Sequence, residues 1–380
     1  MAALVDVGSI ASRFEALEDP RHTRNRRHLL GDILVIAVAG VICGCDGPTA
    51  IHRWARERLD WLKSLLALPN GLPSRDCLRR TLIMIRPEAF QQCFQEWVAE
   101  AFPRPPDHPE GRLVAIDGKT CRRSHDAGRG LGPLHLVSAW ASEEGLALGQ
   151  VATEEKSNEI TAVPELLKRL CLKDMLITID AAGCQKEIVK AIKSGGGDAV
   201  IALKGNQPRL HEAVVELLAE QVERDFEDVR YHAVETSDEG HGRRDDRSYR
   251  LVELPRGFAA AKDWPWIKAV GFALRLTTHA DGRQSSDVRD HISTRFLSGK
   301  RFAEAVRGHW GIESMHWTLD VTFREDDGRA RERTLTNNLS WLRRFAVSLL
   351  KRHPARDSLR GKMLRCGYNP AFLTEVLKLQ

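Results

Sequence analysis

Two apolar runs in this chain each end on an aspartate, and they constrain the fold more than any other feature. The first is Val114-Ala-Ile-Asp117, within an apolar stretch at residues 113–116, and the second is Met175-Leu-Ile-Thr-Ile-Asp180. Short apolar runs of this kind predict buried β-strands. A carboxylate at the end of a buried strand requires a metal ion, a charged partner or an exit to solvent. Each aspartate taken alone is also explained as an ordinary turn or cap residue.

The strand and helix signals around these runs follow the order β-β-β-α-β-α-β-α. Strands are predicted at 113–116, 134–142, 147–153, 175–179 and 199–203, and the helices begin near Ser157, Gln185 and Pro208. This is the order of the ribonuclease-H fold, an α/β fold with a mixed sheet in which the first and fourth strands are neighbours. We therefore expect Asp117 and Asp180 to lie side by side.

Changes in pattern divide the rest of the chain. Residues 1–102 read as a separate all-helical domain for DNA binding or association, and the proline-rich stretch 103–111 marks the boundary. Residues 103–225 are predicted to form the first part of the ribonuclease-H-like core. Residues 226–299 return to strand signals and are predicted to be a β-rich insertion, whereas 300–380 are predicted to hold an acid-bearing helix and basic C-terminal helices.

Charge and composition favour a nucleic-acid partner. The net charge is +5, and residues 329–365 contain eleven Lys and Arg against two acids. The most apolar run, 33–43, is too short for a membrane span and predicts a buried helix, so we expect a cytoplasmic protein without a membrane partner. The eight cysteines make no CxxC pair, and reduced thiols are favoured over a zinc site at Cys43, Cys45 and His52.

A third acid, Glu313, lies in a helical segment far downstream. His309, Glu313, His316 and Asp320 are spaced by four, three and four residues, which places them on one helix face. Convergent carboxylates without thiolates suit Mg²⁺, and two such ions about 4 Å apart can activate a nucleophile and stabilise the leaving oxygen of a phosphodiester. We predict that Asp117, Asp180 and Glu313 bind two Mg²⁺ ions, with Mn²⁺ able to substitute. A zinc site on this helix is the weaker alternative, because it leaves both aspartates without a role.

Several polar residues are candidates for DNA contacts. Lys119, Lys204 and Asn206 follow strand ends at the same edge as the aspartates, and His241 and Arg243 lie at a turn of the insertion. A helix after Ser74 carries Arg75, Arg79 and Arg80, either as a recognition helix or as a solvated surface. Trp310 and Trp317 are predicted to pack in the core rather than to stack on bases.

With these residues identified, the sequence resembles the DDE transposases of bacterial insertion sequences, specifically the ISAs-type family that includes the H-repeat-associated proteins. The resemblance covers nearly the whole chain and rests on these motifs: Phe14-Glu-Ala-Leu-Glu-Asp-Pro-Arg21, Ala115-Ile-Asp-Gly-Lys-Thr120, Thr178-Ile-Asp-Ala-Ala-Gly-Cys-Gln-Lys186, Ala202-Leu-Lys-Gly-Asn-Gln-Pro208, His241-Gly-Arg243, His309-Trp-Gly-Ile-Glu313 and His316-Trp-Thr-Leu-Asp-Val-Thr-Phe-Arg-Glu-Asp326. It implies that Asp117, Asp180 and Glu313 form the DDE triad of a ribonuclease-H-like core.

The helix around Glu313 departs from the wider group of cut-and-paste enzymes, whose pattern is Y-x2-R-x3-E-x6-K. Val306, His309 and Asp320 stand at the Tyr, Arg and Lys positions. His309 replaces the arginine only in part, since it has neither the fork nor the permanent charge. A hairpin intermediate therefore cannot be assumed for this chain.

These observations predict a transposase that binds double-stranded inverted-repeat ends, cleaves them with Mg²⁺ and joins the 3′-hydroxyls to target DNA. The N-terminal helices and the basic C-terminal region, with Arg343 and Arg344, are expected to hold DNA, and pairing of two ends implies a homodimer on DNA. Two alternatives remain open at this point. They are a catalytically silent DNA-binding protein derived from a transposase, and a metal-dependent nuclease without strand transfer.

Overall fold

Strand β1 (Arg112–Cys121) lies inside a mixed sheet and sets the direction of its neighbours. The computed structural model describes residues 13–14, 16–101, 108–153, 159–240 and 242–377, within which nine strands form one sheet. The other strands are β2 (Leu134–Ala141), β3 (Leu146–Thr153), β4 (Met175–Ile179), β5 (Asp198–Leu203), β6 (Tyr231–Gly240), β7 (Arg243–Glu253), β8 (Ala269–His279) and β9 (Gln284–Ser293).

The first five strands confirm the ribonuclease-H-like core. Their order across the sheet is β3-β2-β1-β4-β5, with β1 antiparallel to β2 and parallel to β4, and with β4 parallel to β5. The strands from β1 to β5 are almost continuously buried, as expected for a sheet covered on both faces. The strand predicted at 113–116 is longer in the structure, because pairing with β2 continues to Cys121 after β4 has ended.

Twelve α-helices surround the sheet in the described part of the chain: α1 (Leu30–Ile42), α2 (Pro48–Glu57), α3 (Leu59–Leu65), α4 (Arg75–Met84), α5 (Pro87–Ala101), α6 (Glu159–Lys168), α7 (Lys186–Ser194), α8 (Pro208–Glu223), α9 (Gly299–Val321), α10 (Arg333–Arg352), α11 (Leu359–Tyr368) and α12 (Pro370–Leu377). Local sequence fixes several of the helix starts. Ser74 caps α4 by accepting from the Cys77 N–H at 3.2 Å, and Ser298 caps α9 in the same way. The predicted Ser157 cap lies outside the described residues.

Helix α1 is apolar on all sides and is buried along nearly its whole length, as its sequence predicts. It packs against α10, whose residues 335–350 are all buried. One face of α10 contacts α1, α4 and α5, and the other contacts β2 and β3. The helical N-terminal region and the central sheet therefore share α10 in one hydrophobic core. The boundaries at 102, 225 and 299 stay predictions.

The insertion extends the central sheet instead of forming a separate one. Strand β9 pairs with β5 in the antiparallel sense, from Val200 opposite Ser293 to Leu203 opposite Asp290, and β8, β7 and β6 follow outward. The sequence predicts β-structure here but misses β9, whose first half is polar and exposed. No helix in the described part of the chain is long and apolar enough to cross a membrane.

We predict that Asn338→Ala weakens the attachment of α10 to the N-terminal helices. The fully buried Asn338 amide donates to the carbonyl oxygens of Leu82 at 2.8 Å and Ile85 at 3.0 Å, where α4 ends. Removing the amide leaves both carbonyls buried without this donor, so the free energy of unfolding should fall by about 1–3 kcal/mol in urea titrations. The exposed Asn25→Ala is the control, and equal midpoints for the two variants would contradict the prediction.

Candidate active site

The parallel register of β1 and β4 brings the two aspartates to the same position along the sheet. Ile116 lies opposite Ile179, so Asp117 and Asp180 follow as the next residues of the two strands. Asp117 remains within β1, where it pairs with Ser138 and accepts from the Gly118 N–H at 2.8 Å. Asp180 leaves the sheet and caps a short 3₁₀ turn by accepting from the Gly183 N–H at 3.3 Å. The sequence-based expectation of adjacent aspartates agrees with this geometry.

Helix α9 crosses this end of the sheet and presents Glu313 beside the aspartates. Glu313 and Asp180 line one cleft of about 610 Å³, together with Thr178, Lys204 and His309. The face predicted from spacing is turned to the sheet at three of its positions. His309 Nδ1 lies 3.1 Å from Thr178 Oγ1, and His316 Nδ1 lies 3.5 Å from Asp117 Oδ2. The third position is Asp320, which contacts Lys119 at 2.7 Å.

Negative charge accumulates around Asp117. Burial raises the pKa of Asp117 to about 7, and the nearby carboxylates of Asp180, Glu159 and Glu313 add to this increase. His316 Nδ1 is close to Asp117, but burial lowers the pKa of this imidazole to about 3, so it is neutral near pH 7 and forms no ion pair. Among the described residues, neither a Lys nor an Arg forms an ion pair with Asp117, whereas Lys204 and Arg289 line the adjoining cleft with Asp180 and Glu313.

This donor set fits a divalent cation. Carboxylate oxygens are hard ligands of the kind that Mg²⁺ prefers, and a cation would relieve the repulsion among them. The described side chains do not form a ready-made cluster of three or more ligands, so binding would require the carboxylates to turn toward a common point. Glu159, at the start of α6, is a fourth nearby acid that the sequence analysis did not single out.

The predicted DNA contact of Lys119 is corrected by the structure. The Lys119 ammonium is buried and lies 2.7 Å from Asp320, 3.2 Å from Asp326 and 3.4 Å from Glu325. These ion pairs neutralise the positive charge of Lys119 inside the protein. Asp320 occupies the position at which the wider cut-and-paste pattern has lysine. In this protein the positive charge at that place belongs to Lys119 of β1.

Arg343 and Arg344 are corrected in the same way. Both guanidinium groups are buried on α10 and face Glu325, at 3.7 Å and 3.4 Å. Arg344 Nε also donates to Ser138 Oγ at 3.0 Å, and Arg343 Nη2 donates to the Asp46 carbonyl at 2.9 Å. These two arginines tie α10 to the sheet and the N-terminal helices, and they are not displayed for DNA.

Lys204 and Asn206 lie in an exposed loop after β5. Lys204 lines the cleft with Asp180 and Glu313, while the Asn206 amide donates to the Ala181 carbonyl at 2.7 Å and so fixes this loop beside Asp180. Their placement is compatible with phosphate binding, which stays a prediction. His241 lies outside the described residues.

The prediction that Trp310 and Trp317 are core residues was wrong. Their side chains are 43% and 62% exposed, because the buried face of α9 is formed by other residues, among them Phe302, Ile312 and Leu319. Helical spacing alone does not show whether a given face of a helix packs against other elements or faces solvent. The Arg289 guanidinium lies over the Trp310 ring at 5.0 Å.

A groove rich in arginine adjoins the acidic cleft. It has a volume of about 310 Å³ and is lined by Arg243, Arg247, Arg275, Arg289 and Arg307. The buried Asp245 carboxylate organises part of this set, at 3.0 Å from Arg247 Nη2 and 3.1 Å from Arg275 Nε. Arg289 and Trp310 line both the groove and the cleft, so one extended ligand can contact both sites.

The sequence matches known transposase families along most of its length. The family described as "Transposase DDE domain" matches residues 108–350, and the family described as "DDE_Tnp_1-associated" matches residues 11–98. "Putative transposase YncI" of Escherichia coli O157:H7 is 36% identical over 378 residues, covering 98% of this chain and 95% of that protein. "H repeat-associated putative transposase YhhI" of Escherichia coli K12 is 32% identical over 379 residues, covering 98% of both.

The chain also aligns with a solved structure, the cryo-EM structure of a piggyBac transposase synaptic complex with hairpin DNA. The alignment covers 98% of this chain and 79% of that chain, with 10% sequence identity and a TM-score of 0.38. A similarity at this level carries no argument about fold or function.

We predict that Glu325→Gln changes how stability depends on pH in acid. Burial raises the pKa of Glu325, but Arg344, Lys119 and Arg343 outweigh burial and lower this pKa to about 2. A carboxyl with a lowered folded-state pKa stabilises the protein above its unfolded pKa and loses this contribution as the pH falls toward the folded value. In urea titrations from about pH 5 down to pH 2, the wild type should lose about 3 kcal/mol more stability than the variant.

The exposed Glu216→Gln serves as the control and should keep the wild-type pH dependence. If Glu325→Gln does not fold at neutral pH, Arg343→Gln tests the same cluster, because it removes the most distant of the three cations and should reduce the acid-dependent loss. Parallel pH profiles for the wild type and both cluster variants would contradict the prediction.

Proposed function

Because the chain belongs to the DDE-domain transposase family, we propose that it cuts DNA at the ends of an insertion sequence and joins the 3′-hydroxyls to target DNA. Asp117, Asp180 and Glu313 are the proposed catalytic acids. Bound Mg²⁺, for which Mn²⁺ can substitute, would supply an activated water or 3′-hydroxyl and would stabilise the leaving oxygen. The observation that supports this proposal is that Asp117 and Asp180 follow paired residues of neighbouring parallel strands, and that Glu313 lines the same cleft as Asp180.

The protein's own groups have distinct proposed tasks. Asp117, held by the Gly118 N–H, and Asp180, held in its 3₁₀ turn, would keep the cation ligands at the sheet end, and Glu313 would complete the set from α9. Burial lowers the pKa of His309, so this imidazole is neutral near pH 7 and its contact with Thr178 orients α9 over the cleft. Lys204, at the open side of the cleft, would bind a phosphate of the cleaved strand.

The arginine groove supplies the proposed path for the DNA backbone. Its guanidinium groups present N–H donors beside the acidic cleft, which would otherwise repel a polyanion. Arg75, Arg79 and Arg80 are exposed on α4 and are a second proposed contact surface. Two ends must be held at once, so we include a homodimer on double-stranded DNA in the proposal. The helical domain at 1–102 is proposed to serve DNA binding or association. The proposed location is the cytoplasm, where the bacterial chromosome is accessible.

We predict that Asp117→Asn, Asp180→Asn and Glu313→Gln each abolish Mg²⁺-dependent nicking of inverted-repeat DNA. Loss of a carboxylate from such a site removes several kcal/mol of transition-state stabilisation, which corresponds to roughly three powers of ten in rate. Denaturing gels with end-labelled DNA measure nicking, and a second reaction with plasmid target measures joining.

The outcomes separate the candidate activities. Nicking and joining that both disappear in the variants support the transposase proposal. Nicking without joining in the wild type would identify a nuclease, and DNA binding without nicking would identify a silent DNA-binding protein. Nicking that persists in Asp117→Asn would contradict the assignment of the site, and Glu165→Gln is the control for purification and folding.

We also predict that Arg289→Gln with Arg307→Gln weakens DNA binding and its salt dependence. Each lost phosphate contact should reduce the slope of log affinity against log salt by about 0.9, so the double variant should lose about two. Fluorescence anisotropy at several salt concentrations measures this slope. Arg256→Gln removes an exposed arginine that does not line the groove, and a double variant with the same slope as this control would contradict the proposed path.

A further inference from the structure

Glu159 approaches the acidic site from the face of the sheet opposite to α9. Side chains alternate between the two faces along a strand, so Asp117 and Lys119 of β1 point toward α9, and Gly118 lies on the other face. There, Asp117, Gly118, Glu159 and Asp180 line one narrow pocket. The carboxylate of Glu159 thus reaches the same end of the sheet as Asp117, Asp180 and Glu313. It does so on the face opposite to α9, next to Gly118, which has no side chain.

A buried histidine holds Glu159 in this position. His135 is 1% exposed, and its Nε2 lies 2.6 Å from Glu159 Oε1 while its Nδ1 lies 2.8 Å from Thr120 Oγ1. Glycine at 118 is required by this arrangement, because a Cβ there would collide with both Glu159 Oε1 and His135 Nε2. His135 and Gly118 therefore keep the Glu159 carboxylate against the end of the sheet and prevent it from turning to solvent.

The position of Glu159 is electrostatically costly unless a cation is present. Its carboxylate lines the same narrow pocket as Asp117 and Asp180, so these like charges repel one another. A carboxylate whose only task was to pair with His135 would gain nothing from facing two aspartates. Like charges in a partly buried site are stabilised when a divalent ion binds between them.

We propose that Glu159 is a fourth carboxylate of the divalent-cation site and increases the affinity of the site for the ion. This inference rests on the proposed function, since it assumes that Asp117 and Asp180 bind a cation. His135 and Gly118 act as positioning residues, because they contact Glu159 and not the ion. The site then has acids from both faces of the sheet, with Glu313 on one face and Glu159 on the other.

The test is Mn²⁺ binding by the full-length protein without DNA, measured by isothermal titration calorimetry and by the Mn²⁺-induced change in melting temperature. Glu159→Gln is expected to weaken binding by at least about 10-fold, because loss of a ligand costs no less than loss of a residue that supports one. Gly118→Ala should weaken binding similarly, because it displaces Glu159 without changing its charge. Glu165→Gln, on the same helix, should bind as the wild type does, and Asp117→Asn should lose binding.

The outcomes are distinguishable. Wild-type Mn²⁺ affinity in Glu159→Gln overturns the inference, provided that Asp117→Asn loses binding. Wild-type affinity in Asp117→Asn and Asp180→Asn instead overturns the cation site itself and with it the proposed function. If Glu159→Gln fails to fold, which its melting curve without metal shows, Glu159→Asp shortens the side chain and keeps its charge, and unchanged affinity in that variant also overturns the inference.

Discussion

One buried carboxylate, Glu325, holds together the parts of this protein that carry the proposed catalytic acids. Lys119, Arg343 and Arg344 surround it, and Ser340 donates to it at 2.7 Å. Lys119 belongs to the strand that carries Asp117, and Glu325 follows the helix that carries Glu313. Removal of one partner from such a buried cluster costs about 3–5 kcal/mol, because the remaining charges stay buried and unpaired. The relative positions of Asp117 and Glu313 thus depend on an ion cluster that itself performs no chemistry.

The parts of the structure that follow local rules could be predicted from the sequence. Apolar runs ending in Asp117 and Asp180, and their order among the helices, were sufficient to predict the ribonuclease-H-like core and the adjacency of the two aspartates. Parallel pairing explains this success, because equivalent ends of parallel strands meet at one edge of a sheet. The spacing of His309, Glu313 and His316 likewise identified the helix face that meets the sheet, since a helix repeats every 3.6 residues.

The errors concern pairs that are distant in sequence. Lys119 and Asp326 are 207 residues apart, and nothing near either residue shows that they meet. A count of positive charges could not separate Arg344, which is buried against Glu325, from the exposed arginines of the same region, because burial depends on the fold. Glu159 was missed for the same reason. Its proposed role depends on the space left by the absent side chain of Gly118, and Glu159 enters this space only when α6 packs against β2 and β3.

The pairing of β5 with β9 limits how this protein can be shortened or recombined. A chain without the insertion would leave β5 with unpaired N–H and C=O groups, an open edge that can pair with another molecule and start aggregation. The outermost strand, β6, is protected in a different way, because it carries Glu235, Asp238 and Glu239 along a largely exposed surface. The insertion thereby moves the free edge of the sheet from an apolar strand to an acidic one, and a shorter variant would need a new cover for β5 to stay monodisperse.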